Sequence, residues 1–248
     1  MNTNMDVIPR QAALVELNQA LDRLLDATEL HWWRQALERL AQSPDATTAA
    51  MLSSHCKRHL RARSVVGAEG WSCVELARAL LLVEVVGLQA PKTRLALLEQ
   101  LFQWGDDLEK IALLKVLDHL DSDGSCLDLA LLAGRTSNPH VFAALALDTP
   151  YPARHYPDRA FHQLVLKALG MGLDAARVIG LAQRQSVPLN QLALDLMDEQ
   201  LAAGRPVASS LPQLIAFDLL SPAQLRRLTG LYQQQRLPAH WREHLAGT

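Results

Sequence analysis

Leu14, Leu17, Leu21, Leu24 and Leu25 recur at helical spacing, and the pattern predicts an amphipathic helix from about Pro9 to Asp26. Thr28 is placed to cap a second helix, with Trp32, Trp33, Ala36, Leu37 and Leu40 on its apolar side and Ser43-Pro44 breaking it. Pro44 at a first helical position and Asp45 in the first turn suit a third helix reaching Leu60. Ser72-Cys73-Val74-Glu75 reads as a capping box, in which a hydroxyl and a carboxylate satisfy free N–H groups at a helix start. The helix it opens is apolar nearly all round, which predicts a central position, and Gly87 and Pro91 end it. Glu84 within it reads as a buried charge in need of a partner.

Further helices are expected at Thr93–Trp104 and Asp106–Leu120, with Gly105 as the turn, and at Ser125–Leu132 and Pro139–Leu147. Asp158–Gly170, Asp174–Leu181, Pro188–Ala203, Leu211–Phe217 and Pro222–Tyr232 follow, with a short tail around Trp241. Between Leu147 and Asp158, the prolines around Tyr151 predict a stiff loop that delays the next helix until after Pro157. Short helices, short turns and no strand alternation predict a single all-α domain over residues 1–248, without a sheet. Two architectures satisfy this pattern: an irregular helical repeat, that is, a HEAT-like α-solenoid, and a compact helical bundle. No repeat of fixed period separates them.

Composition narrows the class. Of 248 residues, 49% are hydrophobic and 20% charged, enough for a sizeable core. A net charge of −2 gives no global attraction for nucleic acid, and none is expected as a partner. Three widely spaced cysteines, Cys56, Cys73 and Cys126, form no CxxC pair and predict reduced thiols. The N-terminal MNTNMDVIPRQAALVELNQ lacks the basic start and continuous apolar core of a signal peptide. Ala77–Leu88, interrupted by Arg78 and Glu84, falls short of the roughly 18 residues a membrane span needs. A cytoplasmic protein is expected, with peripheral attachment to the inner membrane as an additional option.

Candidate chemistry is sparse. His55 and His59 share a helix face, but neighbouring Lys57 and Arg58 oppose a cation, so neither a metal nor another cofactor is expected. Lys57, Arg58, Arg61 and Arg63 form a basic run that suits a helix C-terminus or docking to an acidic partner or membrane surface. Asp118, Asp121 and Asp123 lack the ordered spacing of a calcium loop and read as a solvated turn. The best site candidate is the segment after Thr149, where Tyr151, Arg154 and His155 precede a helix carrying His162 and Lys167, with Arg177 on the next element. It reads either as an anion or polar-metabolite pocket or as a set of loop-anchoring hydrogen bonds.

At these residues the chain resembles the EboA family. TPYPARHY, HQLVLKAL, RVIGL and LAAGR follow in order, where the family typically reads N-P-Y-P-A-x-H-[FY], N-Q-x-V-L-K-A, R-I-x-G-L and A-A-G-R. Tyr151, Pro152, His155, Gln163, Lys167, Arg177, Gly180 and Leu181 match that pattern, and Thr149 and His162 stand where Asn is usual. The likeness is best over residues 136–205 and weaker upstream, at RHLRAR and GWS.

The resemblance implies a non-catalytic accessory or scaffold protein in bacterial secondary-metabolite traffic or export. It implies as partners other proteins of the same metabolite-traffic cluster, among them a membrane prenyltransferase-like protein, and a small metabolite. It carries no catalytic residues. The binding reading uses a helical concave face and the Tyr151 segment. The competing reading is an enzyme that modifies the metabolite, with His155 or His162 as general base and Lys167 or Arg154 steadying negative charge.

Overall fold

A computed structural model describes residues 7–245 of the chain. The start of the N-terminal stretch considered above for leader character, residues 1–6, lies outside the described residues, as do residues 246–248. Among the described residues the protein is all-α: fourteen α-helices and three short 3-10 turns, with no strand and one isolated bridge, Ser64 to Ser72. The helices divide into two compact units, Met1–Arg135 and Thr136–Thr248.

The first unit holds α1 (Val7–Leu24), α2 (Ala27–Gln42), α3 (Ala46–His59), α4 (Cys73–Gly87), α5 (Pro91–Trp104), α6 (Asp107–Leu120) and α7 (Leu127–Ala133). The apolar helix opened by Ser72 is indeed the central one. α4 packs against α1, α2, α3, α5 and α6, and buries Leu76, Ala77, Leu80, Leu81, Val85 and Val86. Its Glu84 is exposed, contrary to the expectation of a buried charge. The buried charge on α4 is Arg78, whose Nε donates to the Ser53 carbonyl at 3.2 Å. Cys56, Cys73 and Cys126 are buried free thiols.

Local chemistry sets the boundaries. Ser72 and Glu75 form the expected capping box. The second helix is capped by Asp26 rather than Thr28: Asp26 Oδ1 accepts from the N–H groups of Thr28 and Glu29, and Glu29 Oε2 accepts from that of Asp26. An aspartate with Glu three residues on satisfies two free donors at once, which a lone threonine does not. Glu29 then reaches Arg63, as described below.

The second unit holds α8 (Pro139–Ala146), α9 (Tyr151–His155), α10 (Asp158–Gly170), α11 (Leu181–Arg184), α12 (Val187–Ala202), α13 (Pro222–Gln233) and α14 (Trp241–Leu245). The 3-10 turns are Ala175–Arg177, Leu211–Leu214 and Phe217–Leu219. α10 lies against α8 and α12, and buries Phe161, Leu164, Val165 and Ala168. Trp241 is fully buried at the start of the last helix.

The Tyr151 segment departs from the stiff loop expected of its prolines. Pro150 caps a five-residue helix and Pro152 sits in its first turn. Proline is tolerated there because first-turn N–H groups have no intrahelical acceptor to lose.

Candidate functional site

α9 anchors itself through its core side. Tyr151 is fully buried, and its ring lies 4.6 Å from that of His155, one turn on. Tyr156, which ends the helix, is buried, and burial pushes its phenol well above the ordinary tyrosine range. The rings read from sequence as presented by a loop are therefore inside the unit. Arg154 is exposed.

Arg184 locks this helix in place. Its Nη1 donates to the Ala153 carbonyl at 2.7 Å, and its Nη2 to the Tyr156 carbonyl at 2.9 Å and to Asp158 Oδ1 at 2.6 Å. The guanidinium also lies over the Phe161 ring, 4.7 Å from its centre. One side chain thus binds carbonyls at the end of α9 and the first carboxylate of α10. Arg184 is not among the site residues named from sequence. The available signal was a short helix ended by Pro157, whose terminal carbonyls need a donor.

The remaining predicted residues part company. The Lys167 ammonium donates to the Thr136 carbonyl at 2.7 Å and sits over Phe142, 4.9 Å from its ring centre. Arg177 pairs with Asp148 across a left-handed turn, and both are exposed. That hydrogen bond and charge raise the Arg177 pKa further. Gly180 crosses close over α9, where an added Cβ would meet Ala153 Cβ at 2.5 Å.

His162 alone of the predicted histidines and lysine lines an open groove of about 680 Å³ between α10 and α12. Asp158, Arg159, Gln163 and Leu166 complete the α10 wall, and Ser186, Pro188 and Leu192 the other. His162 is 6% exposed, and its Nε2 lies 3.4 Å from Ser186 Oγ. Burial holds its pKa below the ordinary histidine value, against the pull of Asp158. Histidine here presents an uncharged hydrogen-bonding group, as the Asn usual at this place in the family pattern does. Arg159, Gln163, Pro188 and Leu192 were not singled out as ligand-binding residues from sequence. Their helical spacing was visible, but the pairing of α10 with α12 was not.

In the first unit, two members of the basic run are committed. Arg63 forms a two-pronged pair with Glu29, Nη2–Oε2 at 2.6 Å and Nη1–Oε1 at 2.8 Å, and also donates to the Leu24 carbonyl at 2.6 Å. Arg61 donates its backbone N–H to Glu29 and pairs with Asp26 at 3.1 Å. Lys57 and Arg58 are exposed on the last turn of α3. The His59 ring stacks on Trp32 at 4.7 Å, with the His55 ring 6.3 Å from it. Among the described residues, no group of three or more His, Cys, Asp or Glu side chains gathers as a metal site would. Asp121 and Asp123 instead accept from the Ser125 and Cys126 N–H groups in a turn. No helix among the described residues is long and apolar enough to cross a membrane.

No curated protein and no solved structure matches the chain. A family model does: that of metabolite traffic protein EboA, over residues 9–216, well beyond the segment that carried the sequence resemblance. With most of its length matched, from α1 to the second 3-10 turn, the chain belongs to the EboA family of metabolite traffic proteins.

Proposed function

We propose that the protein serves metabolite traffic by binding, and that the groove between α10 and α12 holds a small molecule. The observation that carries this reading is the groove itself. It is open, of a size suited to a small ligand, and combines apolar Leu166, Pro188 and Leu192 with hydrogen-bonding His162, Gln163 and Ser186. The family's metabolite-traffic description supports the same reading. An acid–base enzyme built on His155, His162 and Lys167 has less support. His155 packs on Tyr151, and the Lys167 ammonium is taken up by a carbonyl and an aromatic face.

Protein isolated from its native host, analysed by mass spectrometry for retained small molecules, tests the proposal. The wild type is expected to retain a molecule that Leu192→Asn loses, because Leu192 is a partly exposed groove residue whose replacement spares the core. Equal retention by both proteins, or none by either, would remove the groove from the account.

A further inference from the structure

The charges around the groove narrow the class of ligand. Beside the groove Asp158 pairs with Arg184 at 2.6 Å, and these two opposite charges offset each other. Burial disfavours a charge on His162, and Gln163 and Ser186 are neutral. Arg159 is left. It is exposed, lines the groove from the first turn of α10, and makes no ion pair or hydrogen bond among the described residues. The groove therefore has one uncompensated positive end. Leu166 lies seven residues further along α10, about 10 Å at 1.5 Å per residue. Pro188 and Leu192 supply the apolar lining on the α12 side, as Leu166 does on the α10 side.

Building on the binding reading above, we infer that the groove takes an amphipathic anion: a carboxylate or phosphate head group at Arg159 and an apolar body along Leu166, Pro188 and Leu192. The head group gains a charge-assisted hydrogen bond to a guanidinium that has no competing partner. The body gains burial in proportion to the apolar area it covers. His162 and Ser186, midway along, fit a hydroxyl or carbonyl on the ligand, since both offer neutral hydrogen-bonding atoms.

Calorimetric titration of the full chain with octanoate, octyl phosphate, octanol and octyltrimethylammonium tests this, since an octyl chain spans the distance from Arg159 to Leu166. The two anions are expected to bind about tenfold more tightly than octanol, and the cation more weakly than octanol. Arg159→Glu is expected to abolish that order. Leu192→Asn is expected to weaken all four. Both positions are exposed, and circular dichroism with thermal melting verifies that each variant is folded. Octanol binding as tightly as the anions, with Arg159→Glu inert and Leu192→Asn still harmful, would overturn the anionic head group and leave the groove as the binding site. No binding of any probe, or binding insensitive to Leu192→Asn, would overturn both.

Discussion

Gly180 shows how much a single position carries. Its φ of +79° lies in the left-handed region, and a Cβ there would sit 2.5 Å from that of Ala153. Either feature alone disfavours a side chain, and together they tie the RVIGL segment to α9 at backbone contact. Gly180→Ala is expected to lower stability by about 2–3 kcal/mol, measured by urea denaturation, because neither Ala153 nor the turn can yield without moving α9. An unchanged midpoint would show that the two segments separate freely. The match of Gly180 to the family pattern was legible in the sequence. The reason for glycine was not, because Ala153 lies 27 positions away and only the fold brings it near.

Among elements, the boundaries legible in advance were those written in local chemistry. Ser72 and Glu75 identify the start of α4 because both partners of the capping box lie within four residues. α9 was missed for a related reason: its prolines argue against a helix interior, whereas the segment uses only the first turn, where proline costs nothing. What makes that short helix persist is the burial of Tyr151 and the hydrogen bonds from Arg184, which lies 31 residues from Ala153 in sequence. α12 is joined to the turns that follow it in a comparable way. Asn190 Nδ2 donates to the Ala216 carbonyl at 2.9 Å, and Asn190 Oδ1 accepts from the Ala216 N–H at 2.8 Å, all of it buried. Asn190→Ala leaves a buried N–H and C=O without their partner, so a loss of about 2–4 kcal/mol is expected. Hydrogen exchange at the Ala216 amide should accelerate in the same variant, and a protected amide would argue that the pairing is dispensable.

At the scale of the whole molecule, the clearest charge-dependent contribution to stability is Glu29. It is 3% exposed, and the hydrogen bonds from Arg63, first among several causes, hold its pKa down to about 2 from an ordinary 4.5. A carboxylate depressed in the folded state stabilises fully above its unfolded pKa and loses that contribution as pH falls through the folded value. Stability is therefore expected to fall by about 2–3 kcal/mol between pH 4.5 and pH 2 on account of this group. Denaturation curves of the wild type and Glu29→Gln should converge over that interval, and curves that stay parallel would assign the acid sensitivity elsewhere. The sequence by itself determined the all-α class, the centrality of α4 and the family, because helical periodicity, capping and ordered motifs are properties of neighbouring residues. Only the tertiary structure decided which charged and aromatic side chains are taken up inside and which line a groove. It committed Arg63 to Glu29, turned Tyr151 inward and set His162 beside Arg159 and Leu192. A side chain's availability depends on what packs against it, and those partners come from segments that local pattern cannot pair.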